Sequence, residues 1–362
     1  MIHRRHATDV TAGKKKKIEA FDPSDIGLLE ANLFGLPFTT DESEVVVIPM
    51  PCEVTVSYRD GTARGPETMF SASFQVDLYD AHIPEAWKLG ISMLPIESSW
   101  QKKNRILRRK AKRCIAHLEK GGKPTDKKVR SLYNQINSAG SALSEWMYQT
   151  SLHWLNKGKA VCVLGGEHSV PLGFMRALTT KYSSFSMLHI DAHADLREAY
   201  EGFEFSHGSI QYNASKLSAI KKMVLVGIRD YSEQEVERIA SSKGRIVAFP
   251  DRELKRAAYE GMTWKKQCDA ILKPLSKYVY VSYDIDALDP ALCPHTGTPV
   301  PGGLEFEQVL YLLEKVVESG RIIIGFDLCE VAPGENDDLD SVVGVRTLYR
   351  LANLMARSQG RL

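Results

Sequence analysis

The sequence predicts an α/β domain built around a parallel sheet. Three observations predict it: short apolar runs recur from Glu44 onward, helical stretches separate them, and polar clusters stand directly after several of the runs. The runs at 45–48, 160–164, 185–190, 223–228, 245–248, 278–283 and 322–327 are rich in Val, Ile, Leu and aromatic residues. They lack strict apolar–polar alternation, as expected of strands buried on both faces of a parallel sheet. Helical stretches at 171–181, 233–241, 304–318 and 342–357 then serve as right-handed crossovers.

One segment breaks the alternation. Residues 100–156 read as two helices, about 102–119 and 126–156, parted by Gly121-Gly122-Lys123-Pro124, a strong break signal. Charge is uneven along the chain. Residues 102–130 hold thirteen Lys/Arg against two acids (+11), residues 1–17 hold six against one (+5), and the remainder carries −14 within an overall +2. The expected organisation is a basic disordered tail over 1–17 and a single domain over 18–362, with a helical insertion at about 100–156. An acidic body with basic appendages is unlike a nucleic-acid reader, whose positive charge belongs to the folded reading surface. It favours a small cationic substrate. The basic helix is expected to pack on the protein itself.

Composition excludes several classes. A chain of 362 residues, 43% hydrophobic and 25% charged, buries a substantial core and is neither fibrous nor largely disordered. The longest apolar runs, 45–50 and 321–326, are too short to cross a bilayer, so no membrane partner is expected. No apolar secretory segment opens the sequence. Six cysteines without C-x-x-C spacing read as reduced, individually buried thiols of a cytoplasmic protein.

The chemistry stands at strand ends. Gly165-Gly166-Glu167-His168-Ser169, Asp191-Ala192-His193-Ala194-Asp195, Asp284-Ile285-Asp286 and Glu330 each follow a strand candidate. In a parallel sheet the strand C-termini share one edge, where ligand crevices open. The alternation of Asp191, His193 and Asp195 would aim all three to one side of an extended chain, and Asp284 and Asp286 repeat the device. With His168 this makes four carboxylates and two imidazoles at one edge. Unpaired, so many carboxylates would not all stay ionised in a crevice. Two divalent cations, with three ligands apiece or with shared bridging carboxylates, resolve the repulsion. The oxygen-rich set suits Mn²⁺, with Ni²⁺, Co²⁺ or Fe²⁺ as alternatives. A lone D-x-D usually marks a solvated turn, but four clusters at successive strand ends point to a metal centre. Asp289, before Pro290, is expected to stabilise a turn, His189 to be a satisfied core histidine, and Glu167 to make a supporting hydrogen bond.

The strings GGEHS, DAHAD, SYDIDALDP, HTGTPVPGGL and DLCEV resemble the ureohydrolase superfamily of arginases and agmatinases over about residues 44–358, apart from 100–156. VTVSYRDGTARGPE and DAHADLREAYEGFEFSHGS look closest to agmatinase-type members. The resemblance implies a three-layer α/β/α sandwich, with His168, Asp191, His193, Asp195, Asp284 and Asp286 as ligands of two Mn²⁺ per chain. It implies His207 as the proton shuttle, Asp286 as a proton relay and Glu330 as the acid that holds the substrate guanidinium, in a homo-oligomer (trimer or hexamer).

The implied reaction cleaves a linear guanidino compound to urea and an amine, most simply agmatine to putrescine. The stretch 196–206 lacks the Asn and the Ser-Gly-Asn loop with which arginases hold an amino acid. It carries Glu198, Glu201 and Glu204 instead, an acidic rim suited to a decarboxylated cation. The alternatives are a guanidine hydrolase, for which Ni²⁺ would serve, a guanidinobutyrase or arginase activity, a mononuclear zinc deacetylase, and a metal-binding scaffold without activity. The second Asp-x-Asp pair argues against the deacetylase, and the presence of both His207 and Glu330 argues against the scaffold.

Overall fold

Helices cover both faces of the sheet, which is why its strands are apolar on both sides. The computed structural model describes residues 12–27 and 31–362. Among these, eight strands form one sheet: β1 (Val45–Met50), β2 (Ile91–Met93), β3 (Ala160–Gly165), β4 (Phe185–Ile190), β5 (Ile220–Val226), β6 (Ile246–Phe249), β7 (Tyr278–Asp284) and β8 (Ile322–Cys329). Their order is β2-β1-β3-β8-β7-β4-β5-β6, and every pairing is parallel. The helices are α1 (12–20), α2 (Gly65–Ala72), α3 (Ser98–Leu118), α4 (Arg130–Asn156), α5 (Leu172–Thr179), α6 (Ile210–Ser215), α7 (Glu233–Ser241), α8 (Asp251–Tyr259), α9 (Trp264–Leu272), α10 (Phe306–Glu318) and α11 (Leu339–Ser358).

Along β3, Ala160, Cys162 and Leu164 join the core on one face with residues of α2, α9, α10 and α11, whereas Val161 and Val163 join the other with residues of α4, α5 and α6. This is the expected three-layer α/β/α sandwich, with each strand alternating between two cores. Three-residue β2 escaped the sequence reading because it is too short to show a period. It pairs with β1 at the sheet edge, Val45 opposite Ile91.

The tail needs correction. Residues 1–11 lie outside the described residues, but 12–17, expected to be disordered, belong to α1. Lys14 Nζ donates to the Leu89 carbonyl at 2.7 Å and Lys17 Nζ to Glu42 Oε2 at 2.6 Å. Two of the four lysines that made this stretch look solvated, Lys14 and Lys17, help dock it, while Lys15 and Lys16 face water. The basic helix does pack on the protein. α3 buries Trp100, Asn104, Arg108, Ala111 and Ile115, a stripe at helical spacing. All six cysteines are free and buried, and among the described residues no helix is long and apolar enough to cross a membrane.

Candidate active site

Strand order sets the polar clusters side by side. β3, β8, β7 and β4 are consecutive neighbours in the sheet, and His168, Glu330, Asp284–Asp286 and Asp191–Asp195 follow them at its carboxyl edge. His168 is 1% exposed. Its Nδ1 lies 3.0 Å from Asp191 Oδ2, 3.3 Å from Asp195 Oδ2 and 3.2 Å from Asp284 Oδ2. Its Nε2 faces Ser282 Oγ at 2.9 Å and Asp327 Oδ1 at 3.2 Å. Burial pushes His168 down, yet its hydrogen bonds to Asp191, Asp195, Asp284 and Asp327 outweigh it and hold the ring well above the usual imidazole range. With a cation present, Asp327 would hold the Nε2 proton and leave the Nδ1 lone pair toward the three carboxylates. Even a protonated Nδ1 has a single hydrogen to offer them. The donor set therefore fits a divalent cation between these atoms.

Asp191 is the hinge of the cluster. It is fully buried, with Oδ2 toward His168 and Oδ1 3.5 Å from His193 Nδ1, which also lies 3.0 Å from Asp286 Oδ2. Its two oxygens face different imidazoles, an arrangement that favours shared ligands over two separate sets. Burial pushes Asp191 up, yet the imidazoles of His189, His168 and His193 outweigh it and hold it well below the usual carboxylate range. Burial, with Asp191 beside it, pushes Asp195 up to about 7. Burial and Asp286 likewise raise Asp284. Carboxylates so divided are what a cluster without enough cations must show.

The backbone reaches this arrangement differently from the sequence reading. Residues 191–195 are not one extended segment: His193 pairs in a parallel bridge with Asp230 and Asp195 turns into the left-handed region at φ +53°. Asp284 ends β7, and its Oδ1 accepts the Asp286 N–H at 2.9 Å as a short 3₁₀ turn begins. Turns, not alternation, bring these side chains together.

Glu330 is 5% exposed, with φ +63°. Its N–H donates to the Gly166 carbonyl at 2.9 Å, Thr296 Oγ1 donates to its carbonyl at 2.8 Å, and the His168 N–H donates to Oε1 at 2.8 Å. These bonds hold a backbone conformation that costs a non-glycine residue roughly 1–3 kcal/mol. A Cβ on Gly297 would lie 3.1 Å from Glu330 Oε2, so glycine there keeps room beside the carboxylate. Burial and Glu167 push Glu330 well above the usual range, which an approaching cation would reverse.

His207 lies on the wall of a cleft of about 270 Å³, lined also by Ser57, Tyr58, His193, Asp195, Tyr200 and Asp230. Its Nε2 is 3.4 Å from Ser57 Oγ and its N–H donates to Thr55 Oγ1 at 3.3 Å, while Nδ1 has no partner among the described residues. Burial and the surrounding His193, Arg108 and His168 push it down to about 3, so the ring is neutral near pH 7.

The remaining expectations divide. His189 is a satisfied core histidine: Nε2 donates to the His193 carbonyl at 3.2 Å and Nδ1 accepts from Gln211 at 2.9 Å. Burial pushes it down to about 4. Asp289 Oδ1 accepts the Ala291 N–H at 2.9 Å, the expected turn. Glu167 braces the loop after β1, accepting from the Thr55 N–H and Oγ1 at 2.8 Å each and from Ser169 Oγ at 2.8 Å. The acidic rim does not hold. Glu198, Glu201 and Glu204 are absent from the cleft lining. Glu198 and Glu204 face solvent, and Glu201 feels the charges of Arg108 and Glu119 on the α3 side. Besides Asp195, the cleft's wall acids are Asp230, which is exposed, and Glu235, which caps α7 and pairs with Arg197 at 3.7 Å.

Sequence reasoning missed the supports. Asp327, Ser282 and Tyr280, whose OH donates to Asp327 Oδ2 at 2.5 Å, stand behind His168. Their one signal is a polar side chain inside an apolar run. Arg229 was also missed. Its Nη2 donates to the carbonyls of Asp286 at 2.7 Å, Leu288 at 3.1 Å and Val300 at 3.0 Å, tying the Asp286 turn to the far wall of the cleft.

Known proteins resemble this chain in sequence and in fold. The model of the Arginase family matches residues 43–353. An N(1)-aminopropylagmatine ureohydrolase of Thermus thermophilus is 32% identical over 295 residues, covering 81% of this chain and 84% of that protein. An agmatinase of Bacillus anthracis is 28% identical over 293 residues, covering 81% and 85%. Among solved structures, the agmatine ureohydrolase of Thermoplasma volcanium superposes with a TM-score of 0.66 at 20% identity, covering 96% of this chain and 99% of that one. The proclavaminate amidino hydrolase of Streptomyces clavuligerus gives 0.64 at 25% identity, covering 93% and 94%. With most of its length matched by the family and its ionisable residues gathered at one sheet edge, this chain belongs to the arginase family, as a ureohydrolase and metal-dependent hydrolase of carbon–nitrogen bonds.

Proposed function

We propose that the cleft hydrolyses a linear guanidino amine, agmatine or a close derivative, to urea and the corresponding amine. The observation that carries the reading is the convergence of three carboxylates on His168 Nδ1, beside the buried carboxylate of Glu330, whose Oε1 accepts the His168 N–H. His168, Asp191, His193, Asp195, Asp284 and Asp286 would hold a pair of divalent cations, for which Mn²⁺ suits an oxygen-rich set with two imidazoles. Such a pair, when bound, supplies a water that is a nucleophile near neutral pH.

The chain's own groups do the rest. Glu330 offers a planar carboxylate to a planar guanidinium, and the incoming cation keeps it ionised despite its burial. Asp286, whose Oδ1 accepts the Ala192 N–H at 3.0 Å, keeps Oδ2 toward His193 and carries a proton toward the leaving nitrogen. His207 is neutral and so relays, accepting a proton at one ring nitrogen as it gives one up at the other. Arg197 is matched by Glu235, so the exposed Asp230 leaves the cleft wall suited to a second, distal cation. That favours an amine-bearing substrate over a guanidino acid. The cleft also reaches past His207 to Asp230 and Val300, further than free guanidine requires.

A urea-release screen of manganese- and nickel-loaded protein tests this, using agmatine, N1-aminopropylagmatine, arginine, guanidinobutyrate, guanidinopropionate and guanidine. The expected result is highest kcat/KM for one of the two amines with manganese. Urea from none of the six overturns the reading, and a preference for guanidine moves it to the guanidine hydrolase.

A further inference from the structure

The basic helix α3 has a role beyond solubility. Of its residues, Arg108 is the one that carries a guanidinium inward, with its side chain 9% exposed. Nη1 donates to the Val54 carbonyl at 3.2 Å, while Nε and Nη2 donate to Asp60 Oδ1 at 3.1 and 2.7 Å. One turn earlier, Asn104 Oδ1 accepts the Glu53 N–H at 2.8 Å. One turn later, Lys112 also pairs with Asp60.

These contacts fall at both ends of one loop. Val54 and Val56 are buried, but Ser57, Tyr58, Arg59 and Asp60 bury no side chain, and Tyr58 is 69% exposed. Yet Ser57 and Tyr58 line the cleft, and Ser57 Oγ stands 3.4 Å from His207 Nε2. A limb without apolar anchors is held by hydrogen bonds or not held at all. The Arg59 N–H to the Gly297 carbonyl at 3.3 Å and Arg59 Nη1 to the Pro294 carbonyl at 2.7 Å tie its middle. The Gly61 N–H donates to Glu53 Oε2 at 2.6 Å beyond it, and Arg108 bridges its two ends. A guanidinium fork reaches a carbonyl and a carboxylate together, which an ammonium does not.

We propose that Arg108 is a positioning residue for substrate binding: through Val54 and Asp60 it fixes the loop that sets Ser57 against His207 and Tyr58 at the mouth of the cleft. The substrate part of this statement rests on the guanidino-amine reading above; the loop part does not. Arg108 touches neither substrate nor reacting atoms, so its loss weakens binding more than turnover.

The test uses the full-length, metal-loaded protein with Arg108→Lys, Asp60→Asn and the double variant. Asp60 is on an exposed loop, so its variant folds even if Arg108→Lys does not. Each single variant should raise KM for agmatine about fivefold or more, with kcat within about twofold, and the double should be no worse than the worse single, as expected for partners in one contact. Bound metal should be unchanged, and amide hydrogen exchange at 55–60 should quicken. Unchanged KM and unchanged loop exchange in Asp60→Asn overturn the proposal, as does additivity in the double variant. Wild-type protein that releases no urea while the variants still quicken loop exchange overturns the substrate reading and leaves the positioning role standing.

Discussion

At the carboxyl edge of β3, β8, β7 and β4, ionisable side chains are buried and share partners: Asp191 is 0% exposed and touches three imidazoles. Along α3, eight Lys/Arg stand between residues 102 and 113, and Lys102, Lys103, Arg105 and Arg109 face water. The two regions are both dense in charge. They differ in solvent, and that difference decides what a single charge contributes. Removing one member of a buried set strands the others in a medium that cannot solvate them, whereas removing one exposed member lets water take its place. Arg108 sits between the regimes, buried on a helix that is otherwise solvated.

The comparison is best broken at its centre. Asp191→Ala removes the group shared by His168 and His193, so bound metal measured by elemental analysis should fall and urea release should be lost. Because even outer partners of ligands cost about 10–100-fold in affinity, the loss here should exceed that. Two metals per chain in purified Asp191→Ala would remove Asp191 from the site. Next in size, Glu330→Gln should keep its metal and lose about 30-fold or more in kcat/KM, the cost of an unpaired buried charge; near-wild-type kinetics would sink its assigned role.

Asp327→Asn sharpens the same contrast one layer out. Metal affinity should fall about 10–100-fold, because an amide oxygen is a weaker acceptor than a carboxylate for the His168 Nε2 proton; equal affinity by competitive chelation would show that the amide oxygen or Ser282 suffices. Chelation of the wild type should lower its melting temperature. Metal at about 100 times Kd adds about 2.7 kcal/mol, or roughly 3–4 °C for a chain of this size, and Asp191→Ala should not respond. Smallest of all, Arg109→Glu on the solvated face should change stability by no more than about 0.5 kcal/mol, with any difference vanishing at high salt. A larger change, read by denaturant unfolding, would mean that the outer face of α3 is covered.

The sequence alone determined the class of fold and the inventory of the candidate site. Runs such as 160–164 are apolar at every position because both sheet faces are covered, and a parallel sheet requires its polar clusters to meet at one edge. The motifs around His168, Asp191 and Asp284 were legible for the same reason, being local strings that end strands. Tertiary structure decided the rest. Only the order β3-β8-β7-β4 shows that four strands distant in sequence are neighbours, since nothing local to a strand names its partner. Only packing shows that Asp327 holds His168 from behind, that Glu201 turns toward α3 rather than into the cleft, or that Arg108 points inward while Arg109 points out. An arginine reads the same in either place. What separates the two is the carbonyl of Val54 and the carboxylate of Asp60, contributed by a loop some fifty residues away, and such contacts exist only once the chain has folded.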